Sequence, residues 1–117
     1  MSDKMQTFES GAVRSDDSDK LNYEACLSPL VLERYAEYIR SHRKLPDGSM
    51  RSDDNWQKGF GLKRWMEAKF RHFMTTWSWF RRGVYNQGRM EDSLCAELFN
   101  TMGMLHEILK GGEDDEL

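Results

Sequence analysis

Apolar residues recur at helical spacing in three stretches of this chain, and no segment of useful length alternates with period two. Leu30, Val31, Tyr35, Tyr38 and Ile39 share the first such stretch. Ser28 ahead of it can cap a helix, and Pro29 suits the first helical position. This helix is expected to fade near Arg43, before Pro46. "PDGS" at 46–49 reads as a turn, and "RSDDNWQKGFG" reads as a loop with Gly59 and Gly61 near its end. A long helix should follow from about Leu62 to Arg82. "GVYNQGR" breaks it, and a third helix runs from about Glu91 to Lys110, before Gly111 and Gly112. The pattern predicts an all-α domain of three main helices over residues 26–110. An irregular arm (1–25) precedes it and an acidic tail (111–117) follows.

The second and third helices each carry two stripes. On the second, Met66, Phe70, Phe73, Trp77 and Phe80 form the expected core face. Trp65, Ala68, His72, Thr75 or Thr76, and Trp79 follow steps of three and four along another side. On the third, Leu94, Cys95, Leu98, Met102, Leu105 and Leu109 make the expected core stripe. Ala96, Asn100, Gly103 and Glu107 make a slimmer one that admits a close neighbour. Three helices are too few to cover both sets, which predicts a homo-oligomer. Folding of the arm over one stripe is the plainer alternative. His72, between Trp65 and Trp79, reads from spacing as a histidine hydrogen-bonded across an interface, ahead of a role in a site.

Composition narrows the function classes. A chain of 117 residues is one domain by length. Its net charge of −3 argues against binding of polymeric nucleic acid, which favours a basic surface. The local cluster Lys63, Arg64, Lys69, Arg71, Arg81 and Arg82 could still hold a small anion. Two cysteines, Cys26 and Cys95, are too few for a disulfide framework. The opening "MSDKMQTFESG" lacks the apolar core of a signal peptide, and no run approaches membrane-spanning length. "DDEL" resembles a retention tetrapeptide but reads better as acidic tail, so a cytoplasmic protein is expected.

Two segments could carry chemistry. Glu91 and Asp92 begin the third helix, where acidic residues commonly oppose the helix dipole and where Asp92 or Ser93 can cap. The same pair could hold Mg²⁺ bridged to a polyphosphate, with Asn100 two turns on as a neutral ligand or base contact. In "DDNWQKGF", Trp56 is a large aromatic in a polar loop, which favours packing or stacking. Asn55 and Lys58 beside it could meet a base edge and a phosphate. His42, His72 and His106 lack zinc-ligand spacing, and there is no phosphate-binding glycine loop. No catalytic nucleophile can be read from the chain.

Taken together, "SGAVRSDDSDKLNYE", "DNWQKG", "FRHFM" and "EDSLCAELFNTMGMLHE" resemble, in order, the phage dATP/dGTP diphosphohydrolase N-terminal domain family. That family is similar to the all-α MazG-like nucleoside triphosphate pyrophosphatases. The resemblance spans about residues 8–110. It implies a phage protein working in the infected bacterial cytoplasm as a tetramer or dimer. It also implies Mg²⁺-dependent cleavage of a purine deoxynucleoside triphosphate to monophosphate and pyrophosphate. The matching positions are Lys20, Tyr23, Asn55, Trp56, Lys58, Arg71, His72 and Asn100 for substrate, with Glu91 and Asp92 for metal. Arg71 and the lysines would neutralise phosphate charge, and Trp56 would stack on the base.

The MazG-like group carries "EExxE" facing "ExxD", whereas the second helix here has Glu67 alone near His72. The first helix could supply Glu33 and Glu37, which lie four apart on one face, a spacing also common on solvated helices. The extent of the motif set makes a diphosphohydrolase the leading expectation, while the depleted acidic cluster favours the alternative. The alternative is an oligomer that kept the pocket but not efficient catalysis, and sequesters a nucleotide or a host cyclic-nucleotide signal.

Overall fold

The computed structural model describes residues 5–111, which fall into two compact units divided between Leu32 and Glu33. The described residues are mostly helical, as the hydrophobic pattern predicts. The terminal part of the expected acidic tail, 112–117, lies outside them.

The first unit departs from the expected irregular arm. Strands β1 (Met5–Thr7) and β2 (Val13–Ser15) pair antiparallel, with Met5 opposite Ser15. Gly11, at φ 91°, donates its N–H to the Phe8 carbonyl at 2.8 Å and closes the connection. Three-residue strands are too short to show period two, so the sequence carried no signal for them. A single helical turn, α1 (Tyr23–Cys26), follows, and Asn22 Oδ1 caps it by accepting from the Ala25 N–H.

Helix α2 (Pro29–Ser41) starts where the Ser-Pro pair predicts; Ser28 Oγ accepts from the Val31 N–H at 3.2 Å. In the second unit its chain continues into a tight reversal over 43–51. Leu45 and Ser49 bond across it, Gly48 takes φ 89°, and Asp47 accepts from the Ser49 N–H and hydroxyl. A 3₁₀ turn (Asn55–Lys58) precedes α3 (Leu62–Arg82). Gly83, in the left-handed region at φ 67°, ends α3 by donating to the Phe80 and Trp79 carbonyls. Helix α4 (Gln87–Gly111) begins four residues earlier than expected. Asn86 within the apparent breaker is its cap, accepting from the Arg89 N–H at 2.9 Å.

The larger correction concerns the stripes. Helices α3 and α4 pack through the slim set: Trp65, Ser93, Ala96, Asn100 and Gly103 are buried, with Ala68, His72 and Thr76 half-buried. The faces expected to be core point outward. Phe70 is 61 % and Phe80 68 % exposed, and Leu94, Leu98, Leu105 and Leu109 are also exposed. Close approach decides the matter. The Trp65 ring lies so tightly on Gly103 that any Cβ there would overlap it. Cys95 alone of the expected α4 stripe is buried.

Candidate functional site

The second unit encloses a pocket of about 250 Å³ between α2, the 51–60 loop, α3 and α4. Four residues singled out from sequence meet there: Asn55, Trp56, His72 and Asn100. Phe60 and Phe99 add aromatic walls, and Arg43 and Arg51 bring positive charge. Such a mixture of ring faces, a few fixed polar groups and cations suits a small amphipathic anion.

Each side chain is held by its own local structure. The reversal over 43–51 places the two arginines together: Arg43 Nε donates to the Arg51 carbonyl at 2.7 Å and lies 3.5 Å from Asp53. The Trp56 ring meets His106 of α4 edge-on, with centroids 4.8 Å apart. At the end of the loop, one carboxylate oxygen of Glu107 accepts from the Trp65 indole N–H at 2.6 Å and the Phe60 N–H at 2.8 Å. Burial pushes the Glu107 carboxyl up, but these bonds, with one from Gly61 and the nearby His106, hold it below its ordinary value. Gly59, at φ 86°, lets the backbone pass beside that carboxylate.

Asn100 is 5 % exposed, and its Nδ2 donates to the Ala96 carbonyl at 2.8 Å. That bond orients the amide so that Oδ1 is left as an acceptor. Burial, and then the neighbouring Arg71 guanidinium, push the His72 imidazole below its ordinary pKa, against the opposing effect of Glu97. The ring is therefore neutral at pH 7. His42 Nδ1 lies 2.8 Å from the Tyr38 carbonyl and 3.0 Å from Ser41 Oγ, which fixes the ring and leaves Nε2 as its other polar atom.

The other expected residues lie elsewhere. Arg71 is exposed on α3, along with most of the α3 basic cluster. Lys58 lines a separate cavity with His106, Glu107 and Lys110. Lys20 donates its N–H to the Asp17 carbonyl in the first unit, where Tyr23 opens α1 and is exposed. Sequence reading missed Arg43, Arg51 and His42. A signal existed for the arginines, since they flank "PDGS" at positions that a tight reversal brings together.

Glu91 and Asp92 are already engaged. Arg34 Nε donates to Glu91 Oε1 and Arg34 Nη2 to Asp92 Oδ1, each at 2.7 Å, and Gln87 donates to the other Glu91 oxygen at 2.9 Å. The guanidinium first, and then Gln87, hold the Glu91 carboxyl below its ordinary range. Two carboxylates are enough in number for Mg²⁺ that keeps its waters. Here, however, a cation would have to displace a bonded guanidinium, and Glu33 and Glu37 do not complete a cluster. Among the described residues, no three His, Cys, Asp or Glu side chains converge as a metal site. As arranged, Glu91 and Asp92 are held by Arg34 rather than open to a cation.

No protein-family model, curated protein or solved structure matches the chain. Among the described residues, no helix is long and apolar enough to cross a membrane.

Proposed function

We propose that this chain is a nucleotide-binding protein that holds its ligand intact, sequestering a nucleotide or a nucleotide signal. The observation that carries this reading is the convergence of Asn55, Trp56, His72 and Asn100 on one pocket beside Arg43 and Arg51. Trp56, Phe60 and Phe99 offer faces on which a base can stack. Asn100 Oδ1 offers an acceptor to a base edge, and the arginines a seat for phosphate. The exposed apolar faces of α3 and α4 support a homo-oligomer, a dimer or tetramer, because a monomer rarely leaves so continuous a patch to water.

A second reading is the Mg²⁺-dependent diphosphohydrolase that releases a deoxynucleoside monophosphate and pyrophosphate. Its support is the adjacency of Glu91 and Asp92 on the first turns of α4, with Asp92 lining a groove beside the pocket. With no family model matching, it rests on that pair and the sequence motifs. It requires Arg34 to release both carboxylates.

The test is calorimetric titration of the purified protein with each common nucleoside triphosphate and monophosphate, ribo and deoxyribo, with and without Mg²⁺. Chromatography of the recovered ligand completes it. The expected result is binding of a subset, recovery of intact ligand, and a loss of roughly tenfold in affinity in Trp56→Ala. Release of pyrophosphate would replace this reading with the second. Binding of no nucleotide would refute both.

A further inference from the structure

The pocket does not stand alone. A second cavity, also of about 250 Å³, adjoins it at Tyr38, His42 and His72, which line both. Beyond those three residues the second cavity is lined by Thr75, Trp79 and Arg89. An aromatic platform thus lies on each side of the imidazoles: Trp56 with Phe60 and Phe99 on one, Trp79 on the other. His72 and Trp79 are seven positions apart on α3, which separates them by roughly 10 Å along the helix. Trp79 is thus set well away from the junction, on a platform of its own.

Charge narrows the ligand further. Arg43, Arg51 and Arg89 face the two cavities together with Asp53 and Asp92, leaving one positive charge in excess. Part of that charge is committed, since Arg43 lies 3.5 Å from Asp53 and Asp92 is paired with Arg34. A triphosphate carries several negative charges and would be poorly neutralised. A single phosphodiester carries one. At the junction, the His42 ring is held against the Tyr38 ring, with centroids 4.1 Å apart, and its Nδ1 is tied to the Tyr38 carbonyl. Nε2 is the ring nitrogen left to donate to a phosphate oxygen.

We propose that the ligand is a dinucleotide: two nucleosides joined through one phosphate, one base on Trp56, the other on Trp79, and the phosphate between them beside His42 and Arg43. This rests on the nucleotide-binding reading above and names its ligand class. Mononucleotides fill half of the site. The second base adds a stacking contact without new phosphate charge.

The experiment is calorimetric titration with the four ribonucleoside 5′-monophosphates and the four matching 3′–5′ dinucleoside monophosphates, on the wild-type protein, Trp56→Ala and Trp79→Ala. For at least one base, the dinucleotide is expected to bind roughly tenfold or more tighter than its mononucleotide, the gain typical of one stacked base. Trp79→Ala should bring that ratio towards one, whereas Trp56→Ala weakens both ligands. Mononucleotide binding with no dinucleotide gain overturns the two-base proposal and leaves the nucleotide reading standing. So does a Trp79→Ala variant that keeps the full ratio while its helical circular dichroism is unchanged. If neither class of ligand binds, the nucleotide reading fails, and this proposal with it.

Discussion

The α3–α4 hairpin has an inner face built of small and polar residues and an outer face built of large apolar ones. Inside, Gly103, Ala96 and Ser93 meet Trp65, Ala68 and Thr76, and the Trp65 side chain is 1 % exposed. Polar groups there are matched: Ser93 Oγ lies 2.7 Å from Thr76 Oγ1, whose hydroxyl donates to the Glu97 carboxylate. Outside, Phe70, Phe73, Trp77 and Phe80 of α3 and Leu94, Leu105 and Leu109 of α4 stay open. The comparison teaches that within one chain shape outranks hydrophobicity. Two helices joined by a short turn press together where a glycine admits an indole. The bulkier stripes are then left exposed on the far side of the hairpin.

The sharpest way to break this comparison is to fill the inner face. Gly103→Ala gains about 1 kcal/mol of helix propensity. The added Cβ, however, must displace a Trp65 ring pinned by Glu107 and flanked by Phe60 and Phe99. Overpacking of this kind costs about 3 kcal/mol. The net expectation is a loss of about 2 kcal/mol in urea denaturation. A neutral or stabilised variant would show that the inner face is looser than described.

Charging the outer face should act differently. In a monomer, Phe73→Glu would alter stability by only about 0.5 kcal/mol. If the outer faces meet in a homo-oligomer, it buries an unpaired charge. The expected result in sedimentation is a wild-type protein at a multiple of 13.8 kDa and a variant at that mass with its helicity kept. A wild-type protein that sediments as a monomer at micromolar concentration removes the oligomer from the account.

The same contrast explains how far the sequence could be read. Helix α3 was predicted with its observed ends, because Gly61 and Gly83 bracket a strong periodic pattern. The α4 start was missed because Asn86 and Gly88 look like a breaker, when Asn86 is the cap. Stripe assignment failed for a physical reason: periodicity reports which residues share a face, and apolarity suggested which face is inside. Neither reports the closeness that a glycine opposite a tryptophan allows. For the site, Trp56, Asn55, His72 and Asn100 were readable from side-chain type and context, and Arg43 with Arg51 from the reversal they flank. His42 was not, since its role depends on the path of the chain after α2. The Glu91–Asp92 pair stood out equally well. Its partner Arg34, 57 positions from Glu91, has no local signature.

Arg34 offers the smallest and most specific test, because it ties α2 to the edge of the hairpin where the inner face begins. Its carboxylate partners are partly exposed, so the pair should add little to stability. The pH dependence is nevertheless defined. A Glu91 carboxyl held below its ordinary value contributes stability that is fully present above the unfolded pKa, roughly 4.3. That contribution is lost as the pH falls through the lower folded value. At pH 7, Arg34→Ala should therefore melt below the wild type by about 3 °C or less. The difference should shrink progressively below about pH 4 as Glu91 is protonated in both proteins. The same variant leaves Glu91 and Asp92 without their cation, so Mg²⁺ should raise its melting temperature more than it raises that of the wild type. An equal response to Mg²⁺ in the two proteins would mean that Arg34 does not occupy the place of a metal. A gap in melting temperature that widened towards pH 3 would show that the ion pair is not what joins α2 to α4.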